Sequence, residues 1–146
     1  MSFVSECVDN FREIITQKYC QFSGRARRRE FWQYTLTVWV ISFVVQLIDK
    51  ALHLEIDVPG DRDMGILSTI LGLALLLPGL SLDVRRLHDI GREWYWLFIV
   101  LIPIAGPIWL LVLDCKEGDR FDNSFGPDPK AERVFATDTG NNPPAV

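Results

Sequence analysis

The sequence predicts an all-α integral membrane protein, a helical bundle with three transmembrane helices and an N-terminal amphipathic helix. Three observations carry that fold class. No Asp, Glu, Lys or Arg occurs in Phe31 to Ile48 (18 residues), Met64 to Leu82 (19) or Trp94 to Leu113 (20), and as helices these cover about 27 to 30 Å, the hydrocarbon thickness of a bilayer. All 34 charged residues sit in the other 89, so an overall 23% charged and a net charge of −4, which as averages fit a soluble domain, conceal a sharp segregation. Core helices of soluble proteins keep a polar stripe at 3.6-residue period, and Leu71 to Leu77 has none.

The amphipathic helix is expected over residues 3–22, where Val4, Cys7, Val8, Phe11, Ile14, Ile15, Tyr19 and Phe22 recur at three and four. Charged residues from Glu6 to Lys18 interrupt any apolar run there, so no cleavable signal is expected and the first span serves as the insertion signal. The segment's own charge of about −1 favours packing against protein over attraction to anionic lipid. Phe22-Ser23-Gly24 then ends it, and Arg25, Arg27, Arg28 and Arg29 follow. Near an anionic leaflet each basic residue contributes about 1 kcal/mol of attraction to headgroups. Nucleic acid is not an expected partner, because the chain is acidic and no recognition module surrounds the cluster.

Trp32 and Tyr34 open the first span at headgroup level, and an acidic loop from Asp49 to Asp63 follows it. Six Lys and Arg precede span one, two lie between spans one and two, three between two and three, and four follow span three. The inside-positive bias therefore places the N terminus and the second loop in the cytoplasm. That second loop, Asp83 to Glu93, reads as a continuation of the second helix, with Arg85 over Asp89, Asp83 near Arg86 or Leu87, and Gly91 as the stop. The third stretch holds Pro103 and Pro107 at its middle, each of which removes a helical hydrogen bond. A kinked span with the tail on the outer side is expected; the alternative is a re-entrant hairpin that returns the tail to the cytoplasm.

After Cys115 the chain is rich in turn formers. Asp119, Asp122, Asn123 and Asp128 do not have the spacing of a calcium loop, and residues 131–146 are expected to be disordered. Three separated cysteines suit neither a disulfide framework nor a zinc site, and no GxGxxG, P-loop, GxSxG or HExxH motif is present, so no cofactor or metal is expected. What remains as a candidate site is an anion- or headgroup-binding set of Arg25, Arg27, Arg28, Arg85, Arg86, His88, Asp89 and Arg92.

The run Phe22 to Trp32, then Arg85-Arg86-Leu87-His88-Asp89-Ile90-Gly91-Arg92 opening onto Trp94 to Trp96, then Ile102-Pro103 and Asn123 to Pro129, resembles the domain-of-unknown-function 805 family of small bacterial inner-membrane proteins. The resemblance covers about residues 10 to 130. It implies a compact transmembrane bundle in a bacterial inner membrane and brings no activity with it. A motif such as ArgArgLeuHisAsp is more than orientation needs, so the first two segments are expected to meet, with Glu30 and Asp89 as the carboxylates each offers to the other's arginines. Should the third motif join them, the hairpin reading of the third stretch gains.

Three functions follow as expectations. The first is a non-enzymatic membrane component, a scaffold, regulator or oligomer subunit, with the lipid bilayer and a second copy of the chain as partners and no small-molecule substrate. No GxxxG pair marks an interface. The second is a carrier or channel component for an ion or small anionic solute, using helix breaks at Pro78-Gly79 and Pro103 to Pro107; no mid-span charge supports it. The third is an enzyme on a lipid headgroup, with His88 as general base oriented by Asp89.

Overall fold

A computed structural model describes residues 2–56 and 64–130. Its elements are α1 (Phe3–Thr16), α2 (Arg28–Leu52), a two-residue antiparallel pairing of β1 (Glu55–Ile56) with β2 (Met64–Gly65), α3 (Ile66–Asp89), a 3-10 helix (Trp94–Leu101) and α4 (Ala105–Cys115). The chain divides into two compact units, Met1–Cys20 with Trp32–Ser81 and Gln21–Phe31 with Leu82–Val146, whose boundaries fall inside α2 and α3. The expected disorder of residues 131–146 concerns positions outside the described residues.

In the first unit, α1 starts at Ser2, whose hydroxyl accepts from the Ser5 N–H as an N-cap. One face of α1 carries the buried Cys7 and Ile14, Phe11 stacks on Tyr34 at 5.7 Å, and the Gln33 amide donates to Glu6 at 3.4 Å. The helix ends at Thr16 rather than at residue 22, because Lys18 and Tyr19 turn to meet α3.

Helices α2 and α3 have 25 and 24 residues, and both are long and apolar enough to cross a membrane. Both outrun the charge-free stretches that predicted them. At about 1.5 Å per residue they reach about 36 to 37 Å, so their charged ends clear a hydrocarbon layer of about 30 Å. The join between them is made by Asp49. Read from sequence as part of an exposed acidic loop, its carboxylate is 1% exposed and accepts from the Leu67 N–H at 3.0 Å, the Ser68 N–H at 2.9 Å and the Ser68 hydroxyl at 2.6 Å. These are first-turn donors of α3 that have no helical partner, and a carboxylate satisfies both the donors and the positive end of the helix dipole. Gly65 permits the approach, since a Cβ there would lie 2.1 Å from Asp49 Oδ2.

In the second unit, α3 closes in a Schellman turn. The Arg92 N–H bonds the Leu87 carbonyl at 2.9 Å, the Gly91 N–H bonds that of His88 at 3.1 Å, and Gly91 sits at φ +67°. The third apolar stretch is not one helix. It forms an eight-residue 3-10 helix and the eleven-residue α4, joined at Pro103 and Ile104. Proline explains the break: Pro107 lies in the first turn of α4, where a missing N–H is harmless, and Pro103 lies just before it. Ile104 adopts φ +67° and ψ −60°, and the Ala105 N–H reaches back to the Pro103 carbonyl at 2.8 Å, a γ-turn of the rare positive-φ form.

The two halves pack as a hairpin. A Cβ on Gly106 would meet the Ile99 carbonyl oxygen at 1.9 Å, so backbone touches backbone at the tip. At the base, Leu87, Ile90 and Leu113 form a buried cluster with Trp96, Leu97 and Leu110 against it. The stretch is therefore not the single kinked helix expected of a third span: its two ends meet at the C-terminal end of α3, and among the described residues α2 and α3 are the helices long and apolar enough to cross a membrane. Gly106→Ala is expected to lower the unfolding free energy by about 1–3 kcal/mol in detergent micelles by forcing the hairpin apart. Gly72→Ala, where an added Cβ meets nothing within 4 Å, is the neutral or mildly stabilising control in the same thermal unfolding measurement.

Candidate functional site

The site is built where the segment before α2, the end of α3 and the chain after α4 come together. The Ala26 N–H bonds the Arg85 carbonyl at 2.9 Å, which lays residues 24–26 along the last turns of α3. From opposite sides two guanidiniums then meet one carboxylate. Arg25 Nε donates to Asp89 Oδ1 at 3.0 Å, and Arg86 Nη1 donates to Asp89 Oδ2 at 2.6 Å. The Arg25, Arg86 and Asp89 side chains are 1%, 0% and 7% exposed. The spacing on the helix differs from the expected one: Arg86 pairs with Asp89 at three residues, while Arg85 leaves the helix surface and meets Glu30 at 3.3 Å. The Arg25–Asp89 and Arg85–Glu30 pairs are the reciprocal exchange of carboxylates that the two motif segments predict.

One carboxylate cannot accept from every donor of two guanidiniums, and the remaining donors are met by backbone carbonyls. Arg25 donates to Phe121 O at 2.8 Å and also to Asp119 O, Asp89 O and Gly126 O. Arg86 donates to Asp114 O at 3.1 and 3.2 Å and to Lys116 O. The chain after α4 is thereby wound around the two guanidiniums, and the Asp119 N–H closes the circuit on Asp89 O at 2.7 Å. Gly118 is required in that winding, because a Cβ there would lie 1.9 Å from Asp89 Oδ2.

His88 takes part through its ring faces and edges. Phe125 stacks on it with centroids 4.0 Å apart and planes 2° from parallel, and Nδ1 lies 3.1 Å from the Gly24 carbonyl. A carbonyl only accepts, so this contact calls for a proton on Nδ1. The Asn123 amide donates to the His88 carbonyl at 2.9 Å and to Asp119 Oδ2 at 3.2 Å, and Asn123 and Gly126 exchange backbone hydrogen bonds. The third motif thus joins the first two.

The eight sequence-predicted residues separate by environment. Arg25, Arg85, Arg86, His88 and Asp89 are brought together and enclosed. Arg27 is half-buried, Arg28 is exposed with Nη1 on the Cys115 carbonyl at 3.3 Å, and the exposed Arg92 lies over the Trp96 ring at 4.4 Å. Sequence reasoning missed Asp114, Gly118, Asp119 and Phe121. Gly118 and Phe121 act through the lack of a side chain and through a backbone carbonyl, and Asp119 through both its backbone and its carboxylate on Asn123, contacts that no local side-chain motif reports. Asp114 alone had a visible signal, as the first charge after the third stretch. Its Oδ1 is buried without a hydrogen-bond partner among the described residues.

The family described as "Protein of unknown function (DUF805)" matches residues 19–127, which take in the first two motif segments of this site and most of the third. The chain belongs to that family. Two inner membrane proteins of Escherichia coli strain K12 are relatives: YhaH is 40% identical over 118 residues, 81% of this chain and 94% of YhaH, and YhaI is 38% identical over 116 residues, 80% of this chain and 92% of YhaI. No solved structure matches the chain. This DUF805 member is accordingly a membrane protein of the inner membrane, in a family whose activity is unknown.

Two outcomes test the site in this DUF805 protein. Arg25→Ala leaves Asp89 Oδ1 and the carbonyls of Asp89, Asp119, Phe121 and Gly126 without this donor, while Arg86 still holds Oδ2, and is expected to cost about 1–3 kcal/mol, read as lost abundance and a lowered melting temperature. Arg25→Lys is expected not to restore it, because an ammonium cannot present a planar fork.

Proposed function

We propose that this DUF805 protein is a non-enzymatic membrane component, a scaffold or regulatory subunit, whose arginine, aspartate and histidine cluster is a structural clamp. One observation carries the reading: the donors of Arg25 and Arg86 are turned onto Asp89 and onto carbonyls of residues 89 to 126 of the same chain. A phosphate or headgroup entering there has to displace contacts that hold the fold. Exposed Arg28 and Arg92, which keep contacts of their own with the Cys115 carbonyl and the Trp96 ring, stand where basic residues at the ends of apolar helices ordinarily meet the lipid surface.

The same reading includes a topology of two spans and a re-entrant hairpin, with the N terminus, the clamp and the tail in the cytoplasm. Eight 3-10 residues at about 2.0 Å and eleven helical ones at about 1.5 Å each give legs of about 16 Å, half a hydrocarbon layer. The legs match in length, and the tip residue Ile104 is 81% exposed, an apolar surface suited to hydrocarbon. A carrier or channel component is the second reading, favoured by the hairpin itself, since broken helices at mid-membrane line solute paths in transporters.

With Cys7, Cys20 and Cys115 replaced, a single cysteine at Lys130 is expected to resist a membrane-impermeant maleimide in intact cells and to react after permeabilisation, while one at Met64 reacts in intact cells. Labelling of position 130 in intact cells overturns the topology. His88→Ala is expected to lower abundance of the protein, and reconstituted protein to show no flux of common ions or anions in liposomes. Flux abolished by His88→Ala at normal abundance favours the carrier instead.

A further inference from the structure

The N-terminal segment is joined to α3 at the one place where that helix is chemically incomplete. Pro78 lies inside α3 and has no N–H, so the carbonyl of Ala74, four residues back, loses its usual helical donor. Ala74 is near the middle of the charge-free stretch Met64 to Leu82, where a backbone carbonyl finds no water. The Tyr19 hydroxyl donates to that carbonyl at 2.6 Å. One turn beyond the proline, the Ser81 hydroxyl, 0% exposed, donates to Pro78 O at 2.9 Å and lies 3.3 Å from Lys18 O. Consecutive residues of one segment therefore bracket Pro78 from both sides. The bracket matches in span: Ser81 to Ala74 is seven residues or about 10 Å of helix, the reach of a tyrosine side chain and one residue of backbone. Pro78 itself is fully buried, and α3 runs helical without interruption across it.

We propose that Lys18 and Tyr19 are a brace for a proline hinge: the Tyr19 hydroxyl stands in for the missing N–H, and withdrawal of the segment frees α3 to bend at Pro78. The brace gives α1 a task besides packing, because any partner or lipid change that pulls α1 away from the membrane acts directly on the second apolar helix. It is independent of the side on which the tail lies and of the role of the arginine clamp.

The test is a cycle of Tyr19→Phe and Pro78→Ala in detergent micelles, read by hydrogen exchange over residues 70–82 and by the carbonyl carbon resonance of Ala74. Tyr19→Phe removes one hydroxyl from a ring that otherwise keeps its packing. It is expected to speed exchange about 3- to 20-fold, the range of hydrogen bonds measured between membrane helices, and to move the Ala74 resonance upfield. Pro78→Ala restores an N–H four residues after Ala74, and in that background Tyr19→Phe is expected to change exchange by less than about twofold. Equal acceleration in both backgrounds means that Tyr19 acts by general packing and overturns the brace, as does unchanged exchange in the native background. If Pro78→Ala fails to accumulate, the Ala74 resonance in Tyr19→Phe alone decides: an unmoved resonance overturns the proposal.

Discussion

Asp89 between Arg25 and Arg86 is the interaction on which the second unit of this protein depends. Two buried guanidiniums have more donors than one carboxylate can accept from, which is costly unless other acceptors surround them. Backbone carbonyls supply those acceptors, and carbonyls can gather around a guanidinium only if the chain curls about it. The wrapping of residues 114 to 126 meets that need. It brings the polypeptide leaving α4 back to the place it left at the end of α3, at the base of the hairpin that the third apolar stretch forms.

The rest of the molecule obeys the companion rule for backbone groups. In apolar surroundings every N–H and C=O needs a partner, and the fold supplies one at both ends of α3 and at the proline inside it. Asp49 caps the first turn of α3, Gly91 allows its last carbonyls to be closed, Tyr19 serves the carbonyl that Pro78 leaves, and Pro107 starts α4 where its missing N–H is harmless. The positive-φ Ile104 departs from this economy, since a β-branched residue in that region stores about 1–3 kcal/mol of strain. The closure of the hairpin base, with Leu87, Ile90 and Leu113 in one cluster, holds it there.

The comparison between sequence and structure divides along the same line. Phe31 to Ile48 and Met64 to Leu82 were legible as helices because a continuous absence of charge over a bilayer's thickness has few other meanings, and Gly91 was legible as a stop because its conformation is one that glycine alone takes readily. The third stretch had the same length and the same lack of charge, and counting could not tell a span from a hairpin of equal contour; Pro103 and Pro107 were the signal, and their meaning depended on where the far end of the stretch was held. Helical spacing pointed to Arg85 over Asp89, yet Arg86 holds that carboxylate because Glu30, remote in sequence, claims Arg85.

By itself, then, the sequence determined the class of molecule, the two long apolar helices, the amphipathic first helix and the segments that meet, because these follow from hydropathy, period and complementary charge along one chain. Tertiary structure alone decided that five of the eight predicted site residues are enclosed, that carbonyls after α4 balance Arg25 and Arg86, that Asp49 caps a helix, and that the third stretch turns back. Those outcomes rest on backbone atoms and on contacts between residues as many as 101 positions apart, and neither is written in the identity of any single side chain.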